Sequence, residues 1–312
     1  MINGIINVYK EAGYTSFDVV AKLRGITKQK KIGHTGTLDP DATGVLPVCF
    51  GSATKLCDML TDKTKEYEAT FRLGIETDTL DISGKVTKES YVNREEITDA
   101  LIRDVIASFV GRIEQIPPMY SAIKINGKKL YELAREGKEV ERKAREVEIL
   151  YIDVLAISGN DITVKVGCSK GTYIRTLCDD IGHKLGCGAV MTKLIRTRSG
   201  EFTIEEASRL DDIAAAVNNE GEKSLEDLII PIDRNFMKYG MAVVSGEYLR
   251  RVINGNYVNL NSQKLLNEST EADKENKDYS HIRVYDDKGD FLAIYEYQQD
   301  KKYYSPEKMF LN

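Results

Sequence analysis

The sequence predicts an α+β protein in two domains, a larger mixed one over residues 1–232 and a small β-rich one over residues 233–312. Three observations predict it. Segments with helical spacing and segments with strand alternation follow one another through the first domain. A polar stretch at 218–224 (NNEGEKS) reads as a surface loop near the end of that domain. Beyond residue 233, short apolar runs are separated by polar turns, the pattern of a small sheet. The chain has 312 residues and is 42% hydrophobic, enough for two cores.

Taken in order, residues 2–9 (INGIINVY) read as a strand rich in β-branched side chains. Thr15 and Ser16 are N-cap residues for a helix carrying Phe17, Val19, Val20 and Leu23, with Gly25 as its expected end. Lys22, Arg24, Lys28, Lys30 and Lys31 crowd the same region. Residues 32–47 read as an irregular loop rich in Gly, Pro, Asp and Thr. Residues 66–73 (EYEATFRL) alternate like a half-buried strand. Ile97, Leu101, Val105, Ile106 and Phe109 place an amphipathic helix over 95–110. Segments 144–155 and 161–168 read as paired strands about the turn Ser158-Gly159-Asn160, and 172–185 as a helix ended by Gly186. In the second domain, strands are expected at 241–244, 281–285 and 291–297, with turns at Asn254-Gly255 and Lys288-Gly289. The polar segment 261–280 is expected to be a loop.

Composition excludes several classes. No stretch approaches the ~18 consecutive apolar residues of a membrane helix, and the start lacks the basic-then-apolar pattern of a signal peptide. Five cysteines, without any C-x-x-C pair, read as reduced thiols of a cytoplasmic protein. His34, His183 and His281 lie far apart and offer no metal-ligand spacing. The net charge of −5 disfavours a nucleic-acid partner, but its distribution does not. Residues 1–200 carry 30 Lys+Arg against 27 Asp+Glu; residues 201–312 carry 14 against 22; and residues 121–200 carry 15 against 10. A local basic face binds phosphates even on an acidic molecule.

The most informative segment is Gly33-His34-Thr35-Gly36-Thr37-Leu38-Asp39-Pro40-Asp41-Ala42-Thr43-Gly44-Val45-Leu46-Pro47. Its glycines permit positive φ and close approach, while its prolines fix φ. An ordered irregular loop that carries a carboxylate and an imidazole is a candidate for chemistry, although Asp before Pro is also a common turn opener. Four further blocks stand out. They are Lys10-Glu11-Ala12-Gly13-Tyr14-Thr15-Ser16; Lys65-Glu66-Tyr67-Glu68-Ala69; Ile116-Pro117-Pro118-Met119-Tyr120-Ser121-Ala122-Ile123-Lys124; and Cys168-Ser169-Lys170-Gly171-Thr172-Tyr173-Ile174-Arg175-Thr176.

In this order the blocks resemble the TruB family of tRNA pseudouridine synthases, and the resemblance covers essentially the whole chain. The run from Gly33 to Pro47 resembles that family's signature loop almost residue for residue. The last ~80 residues resemble, more weakly, a PUA-type RNA-binding domain. One block departs from the family pattern. Many relatives read Asp-Lys-Pro-x-Gly-x-Thr-Ser, where this chain has Tyr9 for the Asp and Glu11 for the Pro. That change reads as one in loop support.

The resemblance implies a pseudouridine synthase catalytic fold, a mostly antiparallel mixed sheet with flanking helices. It implies isomerisation of a uridine in tRNA, with uridine-55 of the T-loop as target and the base flipped out of its stack. No group enters or leaves and nothing is oxidised, so no cofactor and no metal are expected. Asp39 is the implied catalytic carboxylate, acting ionised at the ribose or base. Arg175 is its implied ion-pair partner, expected to lower its pKa by roughly 1–3 units. Tyr67 is the implied aromatic that stacks on the flipped base and helps remove the C5 proton. His34 is implied to fill the gap left by the base, Leu194 to wall the uracil pocket, and Lys10 to support the loop or contact substrate. A monomer is expected, with no membrane and no obligate protein partner. Segment 120–137 is expected to follow the RNA backbone.

Two other readings fit the same residues. One is the guide-RNA-dependent catalytic subunit of archaea and eukaryotes, which selects sites through a separate RNA and partner proteins. Against it, the segment from Lys124 to Gly137 looks bacterial and stand-alone. The other is a tRNA-folding factor whose grip on RNA does not depend on catalysis. All candidate site residues precede residue 233, so truncation near residue 232 is expected to weaken tRNA binding yet leave some turnover.

Overall fold

The computed structural model describes residues 2–61, 63–125, 127–260 and 278–311. In chain order the elements are β1 (Gly4–Lys10), α1 (Ser16–Thr27), β2 (Ile32–His34), β3 (Thr43–Phe50), α2 (Cys57–Thr61), β4 (Lys65–Leu73), β5 (Ile75–Thr77), β6 (Val86–Glu89), α3 (Asp99–Ala107), β7 (Gly111–Gln115), β8 (Lys124–Ile125), β9 (Lys128–Lys129), α4 (Leu130–Arg135), β10 (Arg145–Ser158), β11 (Asp161–Cys168), α5 (Ile174–Lys184), β12 (Ala189–Ser199), β13 (Phe202–Thr203), α6 (Leu210–Val217), α7 (Leu225–Leu228), β14 (Tyr239–Val244), α8 (Gly246–Ile253), β15 (Asp278–Asp286), β16 (Phe291–Gln298) and β17 (Tyr303–Met309).

The main sheet runs β1-β3-β12-β4-β11-β10-β7, with β2 added on β3 and β13 on β12. All of its pairings are antiparallel except β12 with β3. The protein is therefore α+β, as expected. At the centre of the sheet the alternation of β4 decides which side chains are buried. Tyr67, Ala69, Phe71 and Leu73 face one core with Leu177 and Ile181 of α5 and Ile102 and Ile106 of α3. At the β1 edge both faces are covered, so every position but Tyr9 is buried, Asn7 included. Ile6 and Val8 pack under α1 and α6 with Val19, Val20, Leu23 and Ile213, while Ile5 faces Cys49, Leu56 and Ile232 on the other side.

The second sheet, β14-β15-β16-β17, has its own core of Val244, Val252, Ile282, Val284, Ala293 and Tyr295. It is docked on the first through Ile294 and Phe310, which share a cluster with Ile5, Val45, Leu56 and Phe236. A β-rich C-terminal domain is thus present, and it covers part of the larger core.

Several boundaries differ from expectation for local reasons. Helix α1 starts with a capping box, as Thr15 and Asp18 suggest, with Thr15 Oγ1 accepting from Asp18 N at 3.0 Å and Asp18 Oδ2 from Thr15 N at 2.8 Å. It runs past Gly25 and ends at Lys28, which takes the left-handed conformation at φ 53. Helix α3 begins only after Thr98, because Asn93 first closes a turn onto Glu95 N. The expected loop 32–47 is irregular only in its middle, with β2 and β3 claiming its ends. Helix α8 was not foreseen. Of the expected loop 261–280, residues 261–277 lie outside the described residues, and 278–280 belong to β15. All five cysteines are free; Cys57 is half-buried and the others are buried. Among the described residues, no helix is long and apolar enough to cross a membrane.

Candidate active site

The irregular segment between β2 and β3 crosses the sheet where β3, β12 and β4 meet, and it is held from three directions. Thr35 N donates to Pro47 O at 3.1 Å, closing the loop on its own end. From α1, the Ser16 hydroxyl accepts from Leu38 N at 2.9 Å, and Gly13 N donates to Pro40 O at 3.0 Å. From beneath, Lys10 Nζ donates to the carbonyls of Glu11, Pro40 and Ala42 at 3.0, 2.9 and 2.5 Å. Gly44, at φ +103, lets the chain pass so close to β12 that a Cβ there would lie 2.2 Å from Arg196 O.

Asp39 stands at the crest of this loop, with 35% of its side chain exposed. Arg175, at the first turn of α5, grips both of its oxygens: Nε to Oδ2 at 3.0 Å and Nη2 to Oδ1 at 3.2 Å. That side chain is only 5% exposed, so its remaining donors need partners. Nη1 reaches Thr79 O at 3.1 Å and Asp81 Oδ2 at 3.2 Å, and Nη2 also reaches Tyr120 O at 2.9 Å. The helix start is itself fixed by Gln115, whose amide accepts from Tyr173 N at 2.8 Å and donates to Tyr173 O at 3.1 Å.

One guanidinium thus serves two carboxylates, and this corrects the expected titration of Asp39. Its recess disfavours the charged form, and Asp81 adds a like charge. Together they outweigh the pull of Arg175 and Lys10, so the Asp39 carboxyl sits above the ordinary carboxylate value, not below it.

Tyr67 lies opposite Arg196 in the β4–β12 register, two pairs along from Ala69 and Leu194, so all four share a face of the sheet. Leu38, beside Asp39, joins Tyr67, Ala69 and Leu194 in one buried cluster. Tyr67 is 8% exposed. Burial raises its phenol pKa, and the nearby Arg196 guanidinium only partly opposes that. His34 is half-buried at the loop entrance, its Nδ1 3.0 Å from Gly36 O, and burial lowers its pKa, favouring the neutral ring.

The expected residues therefore divide. Asp39 is ion-paired with Arg175 and within electrostatic reach of Tyr67, Tyr67 shares a sheet face with Leu194, and His34 lies within reach of Arg196. Lys10 is fully buried with its ammonium committed to three carbonyls, which makes it a prop for the loop and leaves no donor for a substrate. The departures in its block have their own pairing. Arg209 binds Glu11 and lies over the Tyr9 ring at 5.0 Å. Sequence reasoning missed Asp81, the Thr79 and Tyr120 carbonyls, and Arg196.

The site thus sets a carboxylate gripped on both oxygens near a buried tyrosine and a leucine, on a mixed, mostly antiparallel sheet. The profile described as TruB family pseudouridylate synthase (N terminal domain) matches residues 24–174, and that of the tRNA pseudouridylate synthase B C-terminal domain matches residues 175–237. The chain is 51% identical to the tRNA pseudouridine synthase B of Lachnoclostridium phytofermentans, over 99% of this chain and 100% of that one. It is 45% identical to the enzyme of the same name from Clostridium perfringens, over 99% of each. Among solved structures, the catalytic chain in a Cbf5-Nop10-Gar1 complex superposes with a TM-score of 0.70 at 28% identity, covering 99% of this chain and 85% of that one. An H/ACA RNP bound to a substrate RNA containing 2'-deoxyuridine gives a TM-score of 0.69 at 25% identity, with the same coverage. The chain belongs to the TruB family of pseudouridylate synthases.

Proposed function

We propose that this chain isomerises uridine to pseudouridine in tRNA, with uridine-55 of the T-loop as its target, as a cytoplasmic monomer that needs no guide RNA. The observation that carries the reading is Asp39, open to solvent on one side and gripped on both oxygens by a buried Arg175 above the Tyr67–Leu194 face. In the reaction the bond from ribose C1' to uracil N1 breaks, the base turns, a bond forms from C1' to C5, and the C5 proton departs. Asp39 acts in its ionised form, whether it adds to the sugar or takes a proton from it. Arg175 fixes the aim of the carboxylate by its two-point grip. Tyr67 stacks on the base and stands beside C5, Leu194 closes the pocket, and neutral His34 fills the gap in the RNA stack.

The stand-alone reading is supported by near full-length identity of 45–51% to enzymes named tRNA pseudouridine synthase B, against 25–28% to chains of H/ACA assemblies. The second domain, residues 233–312, is assigned a PUA-like supporting grip on the RNA. Its Ile294 and Phe310 cover the larger core, so its removal also uncovers apolar surface.

The test is incubation with an unmodified tRNA transcript and no guide, followed by mass-spectrometric mapping of the modified site. Conversion of the T-loop uridine is expected. In the Asp39→Asn variant conversion falls to the detection limit while tRNA affinity stays within about twofold, because the carboxylate does chemistry and does not grip. Binding lost in parallel with activity would make Asp39 structural.

A further inference from the structure

Arg196 has no part in the roles assigned so far, yet it is among the most deeply buried charges of the molecule, at 1% exposure. Nε donates to Val45 O at 2.7 Å and Nη1 to Thr37 O at 3.4 Å, tying both ends of the signature loop to β12. Nη2 is buried without a hydrogen-bond acceptor, and Arg196 pairs with no carboxylate among the described residues. Its polar neighbours are neutral, those two carbonyls and the Tyr67 phenol, so a full positive charge is left without an anion. A buried guanidinium without a counter-ion is costly, by several kcal/mol in general. Its position is specific. Alternation along β12 and the register with β4 put it on the face that carries Leu194 and Tyr67, directly opposite Tyr67. It thus lies in the floor of the recess that, on the function proposed above, receives the uracil.

That reaction creates a negative charge in this place. When the bond from C1' to N1 breaks, the electron pair leaves with N1 and spreads onto the two carbonyl oxygens of the ring. The pair returns through the ring when C5 bonds to C1'; C5 then gives up its proton and N1 gains one. Between the two events the detached base is an anion inside a protein recess.

We propose that Arg196 stabilises the uracil anion while the base is detached from the ribose. The idea rests on the synthase reading and adds to it the residue that bears the leaving group's charge. A fixed donor in a water-poor site is worth most where charge develops. The unused Nη2 is such a donor, and the bonds to Val45 and Thr37 hold it in place.

The test uses Arg196→Met and Arg196→Lys in the full chain, with tRNA carrying either uridine or 5-fluorouridine at the target. Fluorine at C5 withdraws electrons and makes the departing base less basic, so a leaving-group stabiliser matters less. Single-turnover disappearance of the target nucleoside is followed by nuclease digestion and mass spectrometry, alongside tRNA affinity and circular dichroism. Arg196→Met is expected to slow the uridine reaction on the order of 10²-fold, and the fluorinated one about tenfold less severely, with affinity within about threefold. Arg196→Lys, which keeps the charge but loses the fork, should show the same pattern more mildly, and it carries the comparison if the methionine variant does not fold. Equal slowing on both substrates, or loss of rate in step with loss of binding, would reduce Arg196 to a loop anchor and overturn the proposal. Wild-type activity on the uridine substrate reads the synthase assignment separately: a wild-type chain that converts nothing removes that assignment, whereas the ratio between substrates bears on Arg196 alone.

Discussion

Replacing Lys10 by methionine asks how the signature loop is held and at what cost. Burial drags the Lys10 ammonium down from 10.5 to about 8, against the attraction of Asp39 and Asp41. At 1.36 kcal/mol per pKa unit, the folded state therefore loses about 3 kcal/mol by keeping Lys10 charged at neutral pH. The sign follows from proton counting. Between pH 8 and 10.5 the unfolded chain holds a proton that the folded chain has released, so wild-type stability rises with pH across that window. From pH 7.5 to pH 10 the gain is about 2 kcal/mol. Methionine has nothing to titrate and leaves the carbonyls of Glu11, Pro40 and Ala42 without their donor, a loss of ~1–3 kcal/mol for each one that stays dry. The chain lacks tryptophan, so unfolding in urea is best followed by far-UV circular dichroism. The variant should be less stable, and its deficit should widen by about 2 kcal/mol between the two pH values. A deficit that stays constant within about 0.5 kcal/mol, or narrows, would mean that Lys10 does not titrate in the loop's shadow and that the argument is wrong.

Other outcomes follow from the same geometry. On the proposed mechanism Asp39 acts ionised, and its carboxyl lies above the ordinary value, so turnover should fall as pH drops through that raised pKa. Asp81→Asn removes a like charge and a competitor for Arg175, so the acid limb of a pH–rate profile should move to lower pH; an unmoved or upward-shifted limb contradicts the shared-guanidinium account. Gly44→Ala places a Cβ 2.2 Å from the Arg196 carbonyl at a φ of +103, so a thermal melt should show a loss of roughly 2 kcal/mol or more, and a melt like that of the wild type would mean the strands can part.

How far the site was legible depended on what each group contributes. Asp39, Tyr67 and Arg175 act through side chains whose neighbours form distinctive blocks, so their identities survive in the linear text. Tyr120 and Thr79 contribute main-chain carbonyls to Arg175, and no choice of side chain encodes a carbonyl. Asp81 sits in a turn among Thr79 and Ser83, where an aspartate looks like any other turn former. Arg196 stands in a strand beside Arg198 and resembles an exposed alternating charge; only the register with Tyr67 reveals which face it takes. The expected direction of the Asp39 shift failed chiefly because burial of the carboxyl cannot be read from a linear sequence, and secondarily because the fold brings a second anion, Asp81, to the same cation. The larger sheet was legible through β1, β4, β10 and β11, whose patterns are long. Helix α8 was not, because its eight amphipathic residues make a short run set between Ser245-Gly246 and Asn254-Gly255, which read as turns.

The separation of buried from exposed cations resolves the tension between a net charge of −5 and an RNA substrate. Lys22, Arg24, Lys28, Lys30 and Lys31 are exposed on α1 and its exit, next to the strand that delivers His34. They can meet phosphates while keeping their hydration, which is how a locally basic face works on an acidic chain. Lys10, Arg175 and Arg196 are almost fully withdrawn from solvent and cannot meet a phosphate at all. Their targets are the carbonyls of the loop, the two carboxylates and the recess above Tyr67. On the function proposed above, the outer cations position the RNA, and the inner ones set the electrostatic potential that a flipped base meets. Mutations in the two groups should separate affinity from turnover, because screening by salt reaches the first group and not the second.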